Sequence, residues 1–154
     1  MKKKLFIACL LFVATMLTGC SGSQTVIKSA DGSQKVELTG TWVAKDGNTT
    51  FKMIFGSDGS FTYGCGGGSH GGPAQLSVGS DGDISVDKEF NRWWLKGTYK
   101  TSGNILTLTY NEFKDYSGGL GDKKKGDATN FVVSIVSNDE LVIQRKSIRT
   151  YKRQ

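Results

Sequence analysis

The chain is short of the residues from which catalytic and metal centres are built: it has one histidine, His70, three cysteines and a single proline. A structural zinc site takes four ligands, and a Cys-His or Ser-His nucleophile needs a third group to orient its base. The sequence supplies neither, and it has no paired-carboxylate motif for acid–base work, so the expectation is a protein that is not an enzyme and carries no cofactor. Also missing, beyond the first twenty residues, is any segment that holds a 3.6-residue apolar period, which excludes helical bundles. Glycine is plentiful instead, with 21 residues mostly clustered or beside Asp, Asn and Ser. That is a composition of many tight turns.

The N-terminus reads differently from the rest. Lys2, Lys3 and Lys4 precede an apolar run over residues 5–17, the layout of a secretory signal and too short for the ~20 residues that span a bilayer. Leu17-Thr18-Gly19-Cys20 follows and resembles the lipobox of bacterial lipoproteins. The resemblance implies cleavage between Gly19 and Cys20, a diacylglyceryl group on the Cys20 sulfur and often a palmitate-like acyl chain on the new amine. Two or more chains hold a protein on a membrane almost permanently. The implied location is the extracytoplasmic side of a bacterial cell envelope, and Ser21 after the lipidated cysteine favours the outer membrane where two membranes exist. Residues 1–19 are thus expected to leave, 20–36 to form a lipidated flexible tether, and 37–154 to fold as one domain.

Loss of the signal lowers the formal charge from +6 to about +3, and nucleic acid is not an expected partner. The remaining positive residues cluster at Lys123-Lys124-Lys125 and in Arg145, Lys146, Arg149, Lys152 and Arg153, read as solvated faces. Cys65 stands alone once Cys9 is cleaved away and Cys20 is acylated, so the mature monomer has no internal disulfide.

From Val36 onward, short alternating strands are separated by turn signals at regular spacing. Phe51, Met53 and Phe55 share one face of a strand, with Lys52 and Ile54 on the other. Ser57-Asp58-Gly59-Ser60 is a hairpin turn into Phe61 and Tyr63. Leu76 and Val78 precede a second Asp-Gly turn and then Ile84 and Val86. Trp93, Leu95 and Tyr99 oppose Trp94 and Lys96; Leu106, Leu108 and Tyr110 alternate with threonines. After a polar loop over residues 111–127 come Phe131, Val133 and Ile135, then strands through Leu141-Val142-Ile143 and through Ile148 and Tyr151. Eight to ten consecutive antiparallel strands leave two open edges unless the sheet closes, so the expected fold is all-β, a small up-and-down barrel, with a small sandwich as the second choice.

Gly40-Thr41-Trp42, the Phe55 to Gly59 turn with Phe61, Gly97-Thr98-Tyr99 followed by Leu106-Thr107-Leu108, and the basic ending up to Arg153 resemble the lipocalin-like domains of bacterial lipoproteins, over residues 36–153. The resemblance makes Gly40 and Trp42 closers of one barrel end, with Arg149 or Arg153 lying across the indole ring. It also implies a small apolar ligand, for which Phe51, Phe55, Trp93, Tyr99 and Leu108 are the candidate lining. The alternative is an envelope protein-interaction or stress-sensing module whose barrel is packed solid, with the outward Trp94 beside Arg92 and Lys96 as its contact patch.

The oddest stretch is residues 64–72, where Cys65 and His70 lie five residues apart among glycines. They are the only soft-ligand pair in the mature chain and too few for a metal site; the simpler reading is a flexible loop with an accessible thiol. Asp81, Asp83, Asp87 and Glu89 alternate, but their glycine falls where a calcium loop does not place it. The 64–72 and 111–127 stretches are candidates for a lid at an open mouth.

Overall fold

A computed structural model describes residues 25–67 and 90–154, and every regular element in them is a β-strand. In chain order these are β1 (Val26–Lys28), β2 (Lys35–Glu37), β3 (Gly40–Asp46), β4 (Thr49–Phe55), β5 (Ser60–Gly67), β6 (Trp93–Ser102), β7 (Ile105–Asp115), β8 (Ala128–Ser137), β9 (Glu140–Gln144) and β10 (Ile148–Arg153). From β3 to β10 each strand pairs antiparallel with the next, and β10 returns to β3 to close an eight-stranded up-and-down barrel. The expected fold class is the observed one.

Closure follows from the two-residue period. In β4, Phe51, Met53 and Phe55 are buried while Thr50, Lys52 and Ile54 are half-buried; in β8, Thr129, Phe131 and Val133 are buried and their neighbours exposed. Each apolar side chain taken fully inside contributes about 1.5–3 kcal/mol, and one continuous core of such residues fills the barrel. Eight strands enclose a space just wide enough for side chains or for one small ligand.

The Gly97-Thr98-Tyr99 motif has a steric cause. The β6–β7 register shifts between Lys96 and Gly97, leaving Asn111 without an opposite residue. A Cβ at Gly97 would run into the Thr109 carbonyl oxygen, so only glycine lets the two backbones approach at this bulge. Beyond the bulge, β6 and β7 continue past the start of β8 to the pair Trp93↔Asp115. The seam is short by contrast: β10 registers with β3 through Lys152↔Val43 and Arg153↔Trp42.

Three expectations need correction. Residues 25–36, assigned to the flexible tether, contain a hairpin: β1 pairs with β2 around Asp31-Gly32, and Ile27, Val36 and Leu38 are buried in the core. These three apolar side chains provide the surface that the small polar residues around them obscured. The hairpin covers one end of the barrel, where the Lys28 amide donates to the Gly103 carbonyl and the Thr101 hydroxyl to the Val26 carbonyl, at 2.9 and 2.8 Å. Cys65 is not on a flexible loop. Gly64, Cys65, Gly66 and Gly67 belong to β5, with Cys65 opposite Phe51 and Trp93. The Phe90 ring lies against the outer side of Gly64, where it leaves no room for a Cβ, and so takes the place a side chain would hold. Finally, the polar loop is shorter than expected, because β7 runs to Asp115.

His70, the strands expected around Leu76, Val78, Ile84 and Val86, the acidic run 81–89, Gly19 and Cys20 lie outside the described residues.

Candidate ligand cavity at the barrel mouth

The two ends of the barrel are built differently. At the base, under the β1–β2 hairpin, Trp42 is fully buried and its indole N–H donates to the Leu38 carbonyl at 2.7 Å. The Arg153 guanidinium lies 4.3 Å from that ring's centroid. Its nitrogens donate to the carbonyls of Thr39 at 2.7 Å, Glu37 at 2.5 Å and Asn138 at 3.3 Å, and its Nε meets the Asp139 carboxylate at 3.2 Å. Phe55 and Tyr99 stack edge-on with centroids 4.8 Å apart, the Tyr99 hydroxyl donates to the Gly56 carbonyl at 3.0 Å, and Leu106, Leu108 and Leu141 complete the packing with no exposed surface. Nothing can enter here without unpacking it. Gly40 has a φ of +115°, a conformation that a residue with a side chain rarely adopts, and a Cβ there would only touch the Arg153 guanidinium, so the backbone is what requires this glycine.

At the opposite end a cavity of about 160 Å³ opens among strands β4 to β10, the loop 116–127 and the β9–β10 turn. Its apolar wall is Met53, Leu95, Phe131 and Ile143. Three phenols, Tyr63, Tyr110 and Tyr151, and the Trp93 indole add polar edges; Tyr63 and Trp93 stand perpendicular with centroids 5.0 Å apart. Four cations, Lys123, Arg145, Lys146 and Arg149, complete the rim, and no carboxylate among the described residues lines it. Arg149 lies with its guanidinium 3.8 Å from the Phe51 centroid, donates to the Ser147 hydroxyl at 2.5 Å and faces Asp46 at 3.7 Å. Its Nε is buried and has no hydrogen-bond partner among the described residues.

The electrostatics agree with that geometry. Burial pushes the pKa of Tyr63 and Tyr151 upward; the two hydroxyls share a hydrogen bond, and both stay neutral. Burial, with the neighbouring charge of Arg145, lowers the pKa of Lys123, whose ammonium sits 5.1 Å over the Tyr110 ring. Cys65, buried beneath this end, has its thiol pushed up to about 11 chiefly by burial, so it is a neutral wall group rather than a nucleophile.

The loop over the mouth is pinned. Burial opposes ionisation of Asp115, yet the amides of Leu120, Ser117, Gly119 and Gly118 converge on it and hold its pKa below the usual value. The Leu120 and Ser117 bonds measure 2.7 and 3.0 Å. This seats Leu120 against the core and brings Gly119, Leu120 and Lys123 to the cavity edge.

Of the five residues expected to line a ligand site, Trp93 does so; Phe51 stands beside it with centroids 6.4 Å apart, and Phe55, Tyr99 and Leu108 are in the packed base. Arg153 and Arg149, considered as alternatives for covering Trp42, turn out to cap opposite ends. The sequence reading missed Tyr63, Tyr151, Lys123, Arg145 and Lys146. A usable signal existed: Arg149, Tyr151 and Arg153 share one face of β10 by the two-residue period, so arginines within a half-buried strand were there to be read. Among the described residues no three His, Cys, Asp or Glu side chains group as metal ligands.

No protein-family model and no curated protein matches the chain. Among solved structures, a lipocalin-like protein from Bacteroides uniformis is similar over 76% of this chain and 98% of its own, at 16% identity and a TM-score of 0.42. A likeness of that degree adds nothing to the eight-stranded meander described above.

Proposed function

We propose that this protein is a non-enzymatic, lipocalin-like binding barrel, moored through an acylated Cys20 to the extracytoplasmic side of a bacterial envelope, that holds a small ligand at its mouth. The observation that carries the reading is the cavity of about 160 Å³ above a base of fully buried side chains. Its size sets the ligand. Drug-sized molecules occupy about 300–1,000 Å³, whereas a cavity near 150 Å³ holds a single benzene-sized ring. A long-chain lipid or a large polycyclic ligand does not fit. The competing reading, a barrel packed solid and acting through its outer surface, requires no such cavity.

The signal and the Leu17 to Cys20 motif support the anchor. Thr25, whose carbonyl accepts from the Leu38 amide, lies at the base, and the five residues from Cys20 to it span at most about 18 Å. Such a short leash holds the base toward the bilayer and turns the mouth away from it. The test is purification of the full-length protein from native membranes, followed by mass spectrometry of both the protein and the small molecules released on denaturation. Acyl mass on a chain beginning at Cys20 and a co-purifying molecule of a few hundred daltons or less are expected. A chain still starting at Met1 without acyl mass removes the anchor, and no bound molecule and no saturable binding of any small probe removes the binding role.

A further inference from the structure

We propose that the mouth cavity is selective for a compact monocarboxylic acid with an apolar, preferably aromatic, body, whose carboxylate is received by Arg149. The inference rests on the ligand-binding reading above and names the ligand's chemical class. It departs from the apolar ligand implied by the family resemblance.

Three observations converge. The first is the sign of the rim: Lys123, Arg145, Lys146 and Arg149 face the cavity, with no carboxylate among its described lining residues. Charges of one sign around a recess with low-dielectric walls focus the field and concentrate counter-ions there. The described acids nearby offset it only in part: Asp115, under the loop, is engaged by the amides of Leu120 and Ser117 at 2.7 and 3.0 Å, and Asp127 partly offsets the lowering of the Lys123 pKa. Asp46 meets Arg149 at 3.7 Å, but its side chain is 68% exposed, so water screens it; Asp127 is turned to the Lys124 amide at 2.9 Å.

The second is the state of Arg149 itself. A guanidinium offers five N–H donors in a planar fork suited to two carboxylate oxygens. One nitrogen donates to Ser147, another faces Asp46, and the buried Nε has no acceptor among the described residues. Stacking on Phe51 holds the plane in place while those donors remain. That Nε is sealed from any incoming oxygen, so the part of the guanidinium left for a carboxylate is the terminal nitrogen that faces only the exposed Asp46 at 3.7 Å.

The third is the remaining wall. Met53, Leu95, Phe131 and Ile143 are apolar, and Trp93 and Tyr63 present a perpendicular aromatic pair. Inorganic phosphate would leave that surface uncovered, and a hydrocarbon would leave the cations unanswered. The volume fits one ring with one head group. A membrane surface is the less suitable source of the anion, because the mouth lies at the end opposite the β1–β2 hairpin.

The experiment is calorimetric titration of the full-length protein in a neutral detergent with benzoate, benzyl alcohol and inorganic phosphate, repeated on Arg149→Met. The expected result is saturable one-to-one binding of benzoate, at least about tenfold tighter than benzyl alcohol, as one well-placed charge pair provides. Arg149→Met should lose about tenfold or more for benzoate and change benzyl alcohol by no more than about twofold. Raising salt should weaken benzoate alone. Equal binding of benzyl alcohol and benzoate overturns the acid selectivity while leaving a binding barrel intact; no saturable binding of any probe overturns both. Phosphate binding as tightly as benzoate, or phosphatidylglycerol vesicles displacing bound benzoate where phosphatidylcholine vesicles do not, reassigns the cations to a phosphate or a lipid surface and also overturns it. Circular dichroism of Arg149→Met establishes that the variant remains folded, and Arg149→Lys, which keeps the charge without the fork, should restore part of the affinity.

Discussion

Strand β10 carries two arginines four residues apart, each lying over an aromatic ring, and they differ in how fully their nitrogens are engaged. Arg153 over Trp42 donates to three backbone carbonyls and meets a carboxylate. Arg149 over Phe51 has one hydroxyl, one exposed carboxylate at 3.7 Å and a buried Nε without an acceptor among the described residues. The first is a closure and the second a receptor in waiting. The same residue pair, guanidinium on a ring, fixes the chain at one end of the barrel and leaves donors for a ligand at the other. Cation–π contact does not distinguish them, since both have it at similar distance; the count of satisfied donors does.

That contrast can be broken by substitution, beginning at the base. Trp42→Ala removes the largest fully buried side chain together with its hydrogen bond to Leu38, and should cost about 3–5 kcal/mol, measured as the shift in the urea unfolding transition. A loss under about 1 kcal/mol would mean that the base is not the packed anchor described. Arg153→Met leaves the carbonyls of Glu37 and Thr39 without their charged donor, and should cost about 2–3 kcal/mol by the same measurement.

Next comes pH. Folding favours the neutral Cys65 thiol, whose pKa rises from 9.0 to about 11, and burial shifts the mouth phenols Tyr63, Tyr110 and Tyr151 in the same direction. Because the folded protein holds these protons more tightly than the unfolded chain, their contribution is complete below pH about 9. It is lost as pH rises from about 9 through about 11. Unfolding free energies from urea titrations should be flat from pH 7 to 9 and then fall, by at most about 2–3 kcal/mol for the thiol alone, and Cys65→Ala should reduce the drop. The smallest effect is at Arg149: Arg149→Met should alter stability by no more than about 1 kcal/mol in either direction. An exposed ion pair contributes little, and the variant also removes an unsatisfied buried donor. A cost as large as that of Arg153→Met would erase the distinction between the two ends.

The fold was legible where alternation is strict. Phe51-Met53-Phe55 and Phe131-Val133 announce half-buried strands, and Asp58-Gly59 announces a hairpin, because each depends on neighbours in sequence. The β1–β2 hairpin was not legible, since Ile27 and Val36 gain their burial only against a barrel end assembled from β6, the β6–β7 turn and β8. Cys65 misled for a related reason: its glycine neighbours suggest a loop, yet Gly64 is a strand position covered by Phe90. The site was the least legible part. Lys123, Arg145 and Lys146 read as solvated charges, and only closure of the barrel brings them, from a loop and from the β9–β10 turn, to the rim that Arg149 and Tyr151 already line.

The most direct test of the account is a crystal structure of the protein soaked with 4-bromobenzoate and measured at the bromine absorption edge. The account predicts one anomalous peak inside the mouth cavity, near Trp93 and Tyr63, with the carboxylate on Arg149 and the base around Phe55 and Tyr99 unchanged. A bromine among Phe55, Tyr99 and Leu108, or a cavity that closes and admits none, would contradict it.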